Sequence, residues 1–351
     1  MNQTRSRRPK YRRASRRRFV GLARGPRPRR LLLEWLEVRT LLAAGDLDTS
    51  FGTGGLVTTN VTGTSSYDQV YDVAEVGTEG KTVVVGSAGG SLALARYLAD
   101  GTLDPTFAGG GKTAVTLPGG SARAQAVVLQ DDGRLVVAGD YDPTGTTPAN
   151  FLVARFTSDG VLDLTFDGDG WTATDFGSTT DGAWGVAIDG EGRIVAAGYA
   201  YATVATADFA LARYLSDGSL DPTFDGDGRV TTDFGASSDF GMALTLDAAG
   251  RIVVAGSSHV PDTAIDDFAV ARYRDDGTLD PAFSEDGWTT VDFGPDGYLG
   301  PDDATGVAVD ADGRLLVAGY SSQPHEGNQF YSDFALACLG IGNCFLPQDR
   351  G

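Results

Sequence analysis

Cysteine and histidine are scarce in this chain: two of each in 351 residues, Cys338 and Cys344, His259 and His325. Two cysteines exclude a disulfide framework, and a C-x5-C pair without a companion pair is not a metal motif. A bridge between Cys338 and Cys344 stands against two unbridged thiols, and the spacing leaves both open. No G-x-S-x-G elbow, H-E-x-x-H pair or nucleotide-binding loop in a β–α setting occurs, which argues against hydrolytic or redox chemistry at histidine or cysteine. Long apolar runs are missing too. Phe19–Ala23 is cut short by Arg24, whereas a secretory signal has roughly 7–15 uninterrupted apolar residues. Leu31–Ala44 is too short and too charged to span a bilayer, so no transmembrane segment is expected.

Positive charge is scarce beyond the N-terminus. Residues 1–44 hold 14 Arg and Lys against two Glu, whereas the remaining chain holds 14 basic and 45 acidic residues. The N-terminal stretch is thus +12 and the body −31, within a total of −19. Such a body repels phosphates, and no nucleic-acid partner is expected. What the chain has in plenty is glycine, 49 residues, about twice average usage. With 41% apolar residues it can build packed cores, and the glycines suit an all-β chain with many tight turns.

The body is a repeat. A Leu-Asp-x-x-Phe segment begins at Leu47, Leu103, Leu162, Leu220 and Leu279, in steps of 56, 59, 58 and 59 residues. A second segment reads VVLQDDGRLVVAG (Val127–Gly139), VAIDGEGRIVAAG (Val186–Gly198), LTLDAAGRIVVAG (Leu244–Gly256) and VAVDADGRLLVAG (Val307–Gly319), with a looser copy at Val73–Gly86. A third reads FALARY at Phe209–Tyr214, and recurs from Leu92, Phe151, Phe268 and Phe334. A period of this size indicates a solenoid, a propeller or an array.

Each unit reads as four strands: A, the V-T-T-D-F segment such as Arg229–Phe234; B, such as Gly306–Asp310; C, the R-L-L-V-A-G segment; and D, F-A-L-A-R-Y. The tight B–C turn at Asp312-Gly313 uses glycine for positive φ. On strand D, Phe209, Leu211 and Arg213 face one way and Ala210, Ala212 and Tyr214 the other, which suits close packing between sheets. Four antiparallel strands repeated radially predict a five-bladed β-propeller of ~59-residue repeats over 46–339. A parallel solenoid is the rival, disfavoured by the hairpins. The array opens with a Leu-Asp-x-x-Phe piece and ends without one, so the N-terminal piece is expected to complete the joint of the last blade. The domain plan is a basic leader (1–30), a short amphipathic segment (31–44), the propeller (46–339) and a tail (340–351).

Alternation of strands places the D-G-R and Leu-Asp turns on one face and the variable A–B and C–D loops on the other. Variable loops on a rigid scaffold are where binding usually resides. The candidate binding residues there are His259, Asp262, Asp266, Asp296, Asp302, Asp303, His325, Glu326 and Tyr331. They read either as an acidic ligand or metal patch or as solvated loop charge. Calcium is the ion such a patch would take, and no other cofactor is indicated. The DGDG turns at Asp167–Gly170 and Asp225–Gly228 lack the ligand series of a calcium loop and read as β-turns. Trp171 and Trp288, at a position that varies between repeats, read as exposed sugar platforms or as surface packing. Arg96, Arg155, Arg213 and Arg272 of strand D read as structural, each pairing between blades with a Leu-Asp carboxylate.

Through the LDPTF, D-G-R-[IL]-V-V-A-G and F-A-L-A-R-Y segments, residues 46–339 resemble the delta-60 repeat family, a bacterial β-propeller-like family. The resemblance implies the fold and often an exported setting, and brings no catalytic residues. Leu33-Glu34, Leu36-Glu37, Arg39 and Leu41-Leu42-Ala43 resemble the LEPR-xLL N-terminal motif of planctomycete envelope and exported proteins, with Val38 a departure. That resemblance implies a sorting leader, removed near Ala44-Gly45. Ser15–Val20 is similar to a twin-arginine signal, against a plain basic tail. The expectation is an exported, monomeric, non-catalytic binding or cell-surface module with a protein or glycan ligand. The alternative is a glycan-acting hydrolase or lyase, for which Asp302 and Asp303 are the candidate acids because they break the repeat.

Overall fold

The computed structural model describes residues 45–340, apart from 65, 144–148, 178, 204–205, 236–237, 260–265, 295–300 and 326–328. The leader, the amphipathic segment and Cys344 therefore lie outside the described residues, as do Asp262, Asp296 and Glu326. Among those described, no helix is long and apolar enough to cross a membrane.

The chain forms consecutive antiparallel sheets. The first holds β1 (Asp68–Val76), β2 (Lys81–Ala88), β3 (Ser91–Tyr97) and β4 (Lys112–Val115). The second holds β5 (Ser121–Leu129), β6 (Leu135–Asp142), β7 (Asn150–Phe156) and β8 (Trp171–Thr174). The third holds β9 (Asp181–Ile188), β10 (Ile194–Tyr201), β11 (Ala207–Tyr214) and β12 (Arg229–Thr232). The fourth holds β13 (Asp239–Leu246), β14 (Ile252–His259), β15 (Asp266–Tyr273) and β16 (Trp288–Val291). The fifth has three strands among the described residues, β17 (Asp302–Val309), β18 (Leu315–His325) and β19 (Gln329–Leu339).

Within each sheet the strands follow chain order, and the sheets pack face to face. Four apolar cores fill the four successive seams. At the third seam Val195, Ala197, Phe209 and Leu211 of one sheet meet Ile252, Val254, Ala269 and Ala271 of the next. The opposite face of the same sheet gives Ala210, Ala212 and Tyr214 to the second seam. Strand D thus buries both faces, as its alternation of large and small side chains requires.

The strand grouping read from the sequence needs correction. Strand A does not open the sheet of the strand B that follows it. It closes the sheet of the preceding strand D: Ala212 pairs with Arg229 and Phe209 with Thr232. The repeat is therefore one of strands B–C–D–A, with the Leu-Asp turn inside each sheet. Nor does the N-terminal piece complete the fifth sheet, because segment 56–59 is not paired with β19. Instead it leans on the first sheet, where the Tyr97 hydroxyl donates to Thr59 Oγ1 at 2.8 Å.

The Leu-Asp turn is tied down by the strand D arginine. Arg213 Nε donates to Asp221 at 2.8 Å, Nη2 to Thr223 Oγ1 at 3.1 Å, and Nη1 to the Asp275 carbonyl of the next sheet at 2.5 Å. Its guanidinium lies over the Phe224 ring, 4.7 Å from the centroid. Arg96 and Arg155 repeat every contact. The pair with the Leu-Asp carboxylate therefore lies within one sheet, not between blades as expected, and the link to the next sheet runs through a backbone carbonyl, joined at Arg213 by the Asp275 carboxylate at 2.9 Å. The aspartate's other oxygen accepts the N–H two residues on, Thr223 at 3.0 Å, the Asx bond expected of such turns.

Candidate functional site

The first strand of every sheet carries one surplus residue. Register slips occur between Val70 and Asp72, Ala124 and Ala126, Ala183 and Gly185, Gly241 and Ala243, and Ala304 and Gly306. Each slip is a β-bulge, which re-aims one side chain. The bulged residues are Tyr71, Gln125, Trp184, Met242 and Thr305. All five line one cavity of 360 Å³, together with Asp72 and backbone-flanking residues such as Gly185 and Ala243. Consecutive first strands also touch one another along this cavity, so it lies where the five sheets converge.

The bulge explains the glycine that ends every strand C segment. A Cβ on Gly256 would lie 1.8 Å from the Phe240 carbonyl oxygen, and one on Gly139 1.8 Å from that of Arg123. Gly86, Gly198 and Gly319 meet the same obstacle at 1.8–1.9 Å. The bulge pushes that carbonyl inward, and only a residue without a side chain fits opposite it.

The cavity lining is varied chemically and held firmly. Tyr199 meets the Trp184 ring edge-on at 5.7 Å, and burial and the nearby Asp140 charge push its hydroxyl up to about 12, so it stays protonated. Gln125 Nε2 donates to Asp140 at 3.2 Å. Asp72 Oδ2 accepts the Val127 N–H of the next sheet at 2.8 Å. These five residues escaped the sequence reading because they do not repeat. The signal was there: Gln125, Trp184, Met242 and Thr305 each stand 14 positions before the strand C glycine, one variable column inside a repeated strand.

Of the binding candidates, the described His259, Asp266, Asp302, Asp303, His325 and Tyr331 lie at the variable-loop end of their strands, and the D-G-R turns lie at the other. Arg134 Nε, for instance, reaches the Leu-Asp carboxylate Asp163 at 2.9 Å. His259 Nδ1 is 2.8 Å from Asp266 Oδ1. Asp302 and Asp303 are not loop residues as expected. They belong to β17 and are buried, and the Tyr320 hydroxyl donates to Asp303. Tyr331 is exposed on β19. The backbone of His325 pairs with Gln329 at the β18–β19 turn. Cys338 is half-buried in β19. Trp171 and Trp288 are packing residues rather than open platforms: Trp288 stacks on Phe234 at 4.7 Å, and Trp171 meets Tyr141 edge-on at 4.9 Å.

Beside this face the seams carry acidic clusters of which the sequence reading had singled out Asp302 alone. Asp208, Asp233 and Asp239 meet at the third seam, and Asp267, Asp292 and Asp302 repeat them at the fourth. Burial, reinforced by Asp233 and Asp208, raises Asp239 to about 6 against the pull of the Phe234 N–H and Ser258 hydroxyl. Burial, with Asp292, Asp302 and Asp266, likewise raises Asp267 to about 6.

Radially repeated antiparallel sheets around an axial cavity define a β-propeller repeat protein. Four segments, 80–107, 130–166, 192–224 and 250–283, match the family described as "Domain of unknown function (DUF5122) beta-propeller". A comparison with curated proteins finds no match. Similar solved structures include a GH43 endo-arabinanase from Bacillus licheniformis, 13% identical, with a TM-score of 0.38 over 75% of this chain and 91% of that one. A glucose dehydrogenase is 14% identical, with a TM-score of 0.41 over 78% and 86%. A polysaccharide lyase of family PL25, an ulvan lyase, is 11% identical, with a TM-score of 0.36 over 74% and 68%. At these scores the likenesses do not bear on this chain's chemistry.

Proposed function

We propose that the protein is an exported, non-catalytic binding module whose axial cavity takes a neutral glycan. The observation that carries this reading is the bulged column. Every blade spends a register slip and an obligatory glycine to aim one residue at the axis, and that residue differs in each blade. Trp184 and Tyr71 offer ring faces on which a sugar can stack, while Gln125 and Thr305 offer hydrogen-bonding groups. A cavity of 360 Å³ suits a small ligand. The strongly acidic body disfavours anionic polymers. Most glycosidases need two carboxylates flanking the bond. Among the described residues lining the cavity Asp72 is the single acid, and both of its oxygens are already engaged, by the Val73 and Val127 N–H groups. That favours binding over the hydrolase or lyase alternative.

The test is a titration of the full chain with neutral oligosaccharides (arabino-, xylo- and cello-oligomers), read by tryptophan fluorescence. A saturable change that disappears in Trp184→Ala, with no release of reducing ends, is the expected result. No change with any of them, or a change that survives Trp184→Ala, removes the glycan reading. Release of new reducing ends transfers it to the enzyme alternative. The basic stretch and Leu31–Ala44 support export. In cells making the full chain, the mature protein is expected outside the cytoplasm with its N-terminus near Gly45. Retention of intact residues 1–44 in the cytoplasm would overturn that part.

A further inference from the structure

We propose that the third seam holds a calcium ion, bound by Asp208, Asp233 and Asp239; Asp267, Asp292 and Asp302 form the matching cluster at the fourth. Within each trio one ligand atom per carboxylate lies within 4.8 Å of the others. Calcium takes oxygen ligands at about 2.4 Å in a flexible shell, whereas magnesium, at about 2.1 Å, demands a near-ideal octahedron. The donors are all hard oxygens, which selects calcium over zinc or copper.

Asp239 supplies the second, independent observation. Its side chain is 0% exposed. Oδ2 accepts the Phe234 N–H at 3.0 Å, while Oδ1 is buried with no hydrogen-bond partner. The Ser258 hydroxyl is near enough to favour the charge, yet it makes no hydrogen bond to Oδ1. A buried carboxylate oxygen left without a partner is costly, and a cation between the three acids removes that cost. None of the six carboxylates forms an ion pair with a described Lys, Arg or His.

The repeat provides an internal comparison. At the first seam the matching positions are Ser91, Thr116 and Ala122, and there the Ser91 and Thr116 hydroxyls hydrogen-bond each other at 2.7 Å. A neutral pair fills the place with no ion. At the second seam Asn150 replaces the first aspartate. The three-carboxylate set is thus peculiar to the last two seams and is not demanded by the fold. Asp233 and Asp292 are exposed, and water beside Asp233 completes the shell of the ion.

Calorimetric titration of the EDTA-treated full chain with calcium chloride tests the proposal, with Tm as a parallel readout. One calcium ion per chain is expected, and a Tm rise of about 3 °C or more on saturation. Asp233→Asn should remove that ion and the Tm shift, whereas Asp292→Asn, its counterpart at the fourth seam, should leave both in place. These exposed side chains lie outside the cores, so the apo fold should survive, as judged by an unchanged EDTA-state Tm. No calcium binding, or binding unaffected by Asp233→Asn, overturns the proposal.

Discussion

The buried guanidinium of strand D joins the first three sheets to the next, and its surroundings change at the fourth, where neither Nη1 nor Nη2 of Arg272 makes a hydrogen bond to a described residue. Arg96, Arg155 and Arg213 each donate to a threonine two residues after the aspartate, whereas Arg272 faces Ala282 there. Arg272 keeps Asp280 at 2.8 Å through Nε and Nη2, but burial and the neighbouring Arg251 lower its pKa. Ala282→Thr should restore the missing acceptor and stabilise by about 0.5–1.5 kcal/mol. Urea unfolding would check this, and an unchanged midpoint would mean the fourth turn is arranged differently. In contrast, Arg213→Ala leaves the buried Asp221 charge with only the more distant Arg193, at 3.9 Å, and a loss of about 3 kcal/mol is expected.

The same aspartates set the acid limit. The Thr106 hydroxyl and N–H, with Arg96 and Lys81, hold Asp104 down to about 2 despite its burial. Asp163, Asp221 and Asp280 are lowered too, their threonine, backbone and arginine partners outweighing the opposing effect of burial. A depressed carboxylate contributes stability that is present above its unfolded value near 4 and lost as pH falls through its folded value. The urea midpoint should therefore fall between pH 4 and 2, below the range in which Asp239 and Asp267 take up protons. A flat midpoint there would mean that these turns open before they titrate.

At the level of the strand, legibility followed repetition. Strands B, C and D, their hairpin turns and the two-faced packing of F-A-L-A-R-Y were readable because five copies agree. Two features were not. Grouping strand A with the following B rather than the preceding D was undetermined, since a repeat read along the chain has no marked beginning and only hydrogen bonding divides it. The bulge was hidden because its residue differs in every copy, and so was the reason for the glycine opposite. Gly256→Ala measures that bulge. The added Cβ would lie 1.8 Å from the Phe240 oxygen, so the strands must part or the bulge must flatten, at a cost of about 1–3 kcal/mol. Flattening would turn Met242 from the axis, and binding in the cavity should weaken with stability. Retained stability together with full binding would mean the bulge does not depend on the glycine.

At the level of the whole array, four seams are filled and the ends are not. On β19 Phe334 is fully exposed and Leu336 is 65% exposed, whereas their counterparts Phe209, Leu211, Phe268 and Val270 are buried. On the first sheet Val70 and Val73 are exposed as well, beside a 290 Å³ groove lined by Val57, Thr59, Val84 and Leu94. An exposed apolar edge strand is a template for pairing. The third sheet supplies the register: Phe209 opposite Thr232 and Ala210 opposite Thr231 correspond to Phe334 opposite Thr59 and Ala335 opposite Thr58. Segment 56–59 and β19 stand unpaired with each other in the structure, and a closed state that pairs them within one chain would bury Phe334 in a fifth core. Thr58→Cys with Ala335→Cys, in a background where Cys338 and Cys344 are serine, should then form an intramolecular disulfide at the distance antiparallel neighbours allow. Residues 45–351 should scatter with a radius of gyration near ~19 Å. Cross-linking between chains would instead make the two edges a head-to-tail interface. A pair that stays reduced beside an elongated particle would leave the array open, and its axial cavity accessible from the side as well as along the axis.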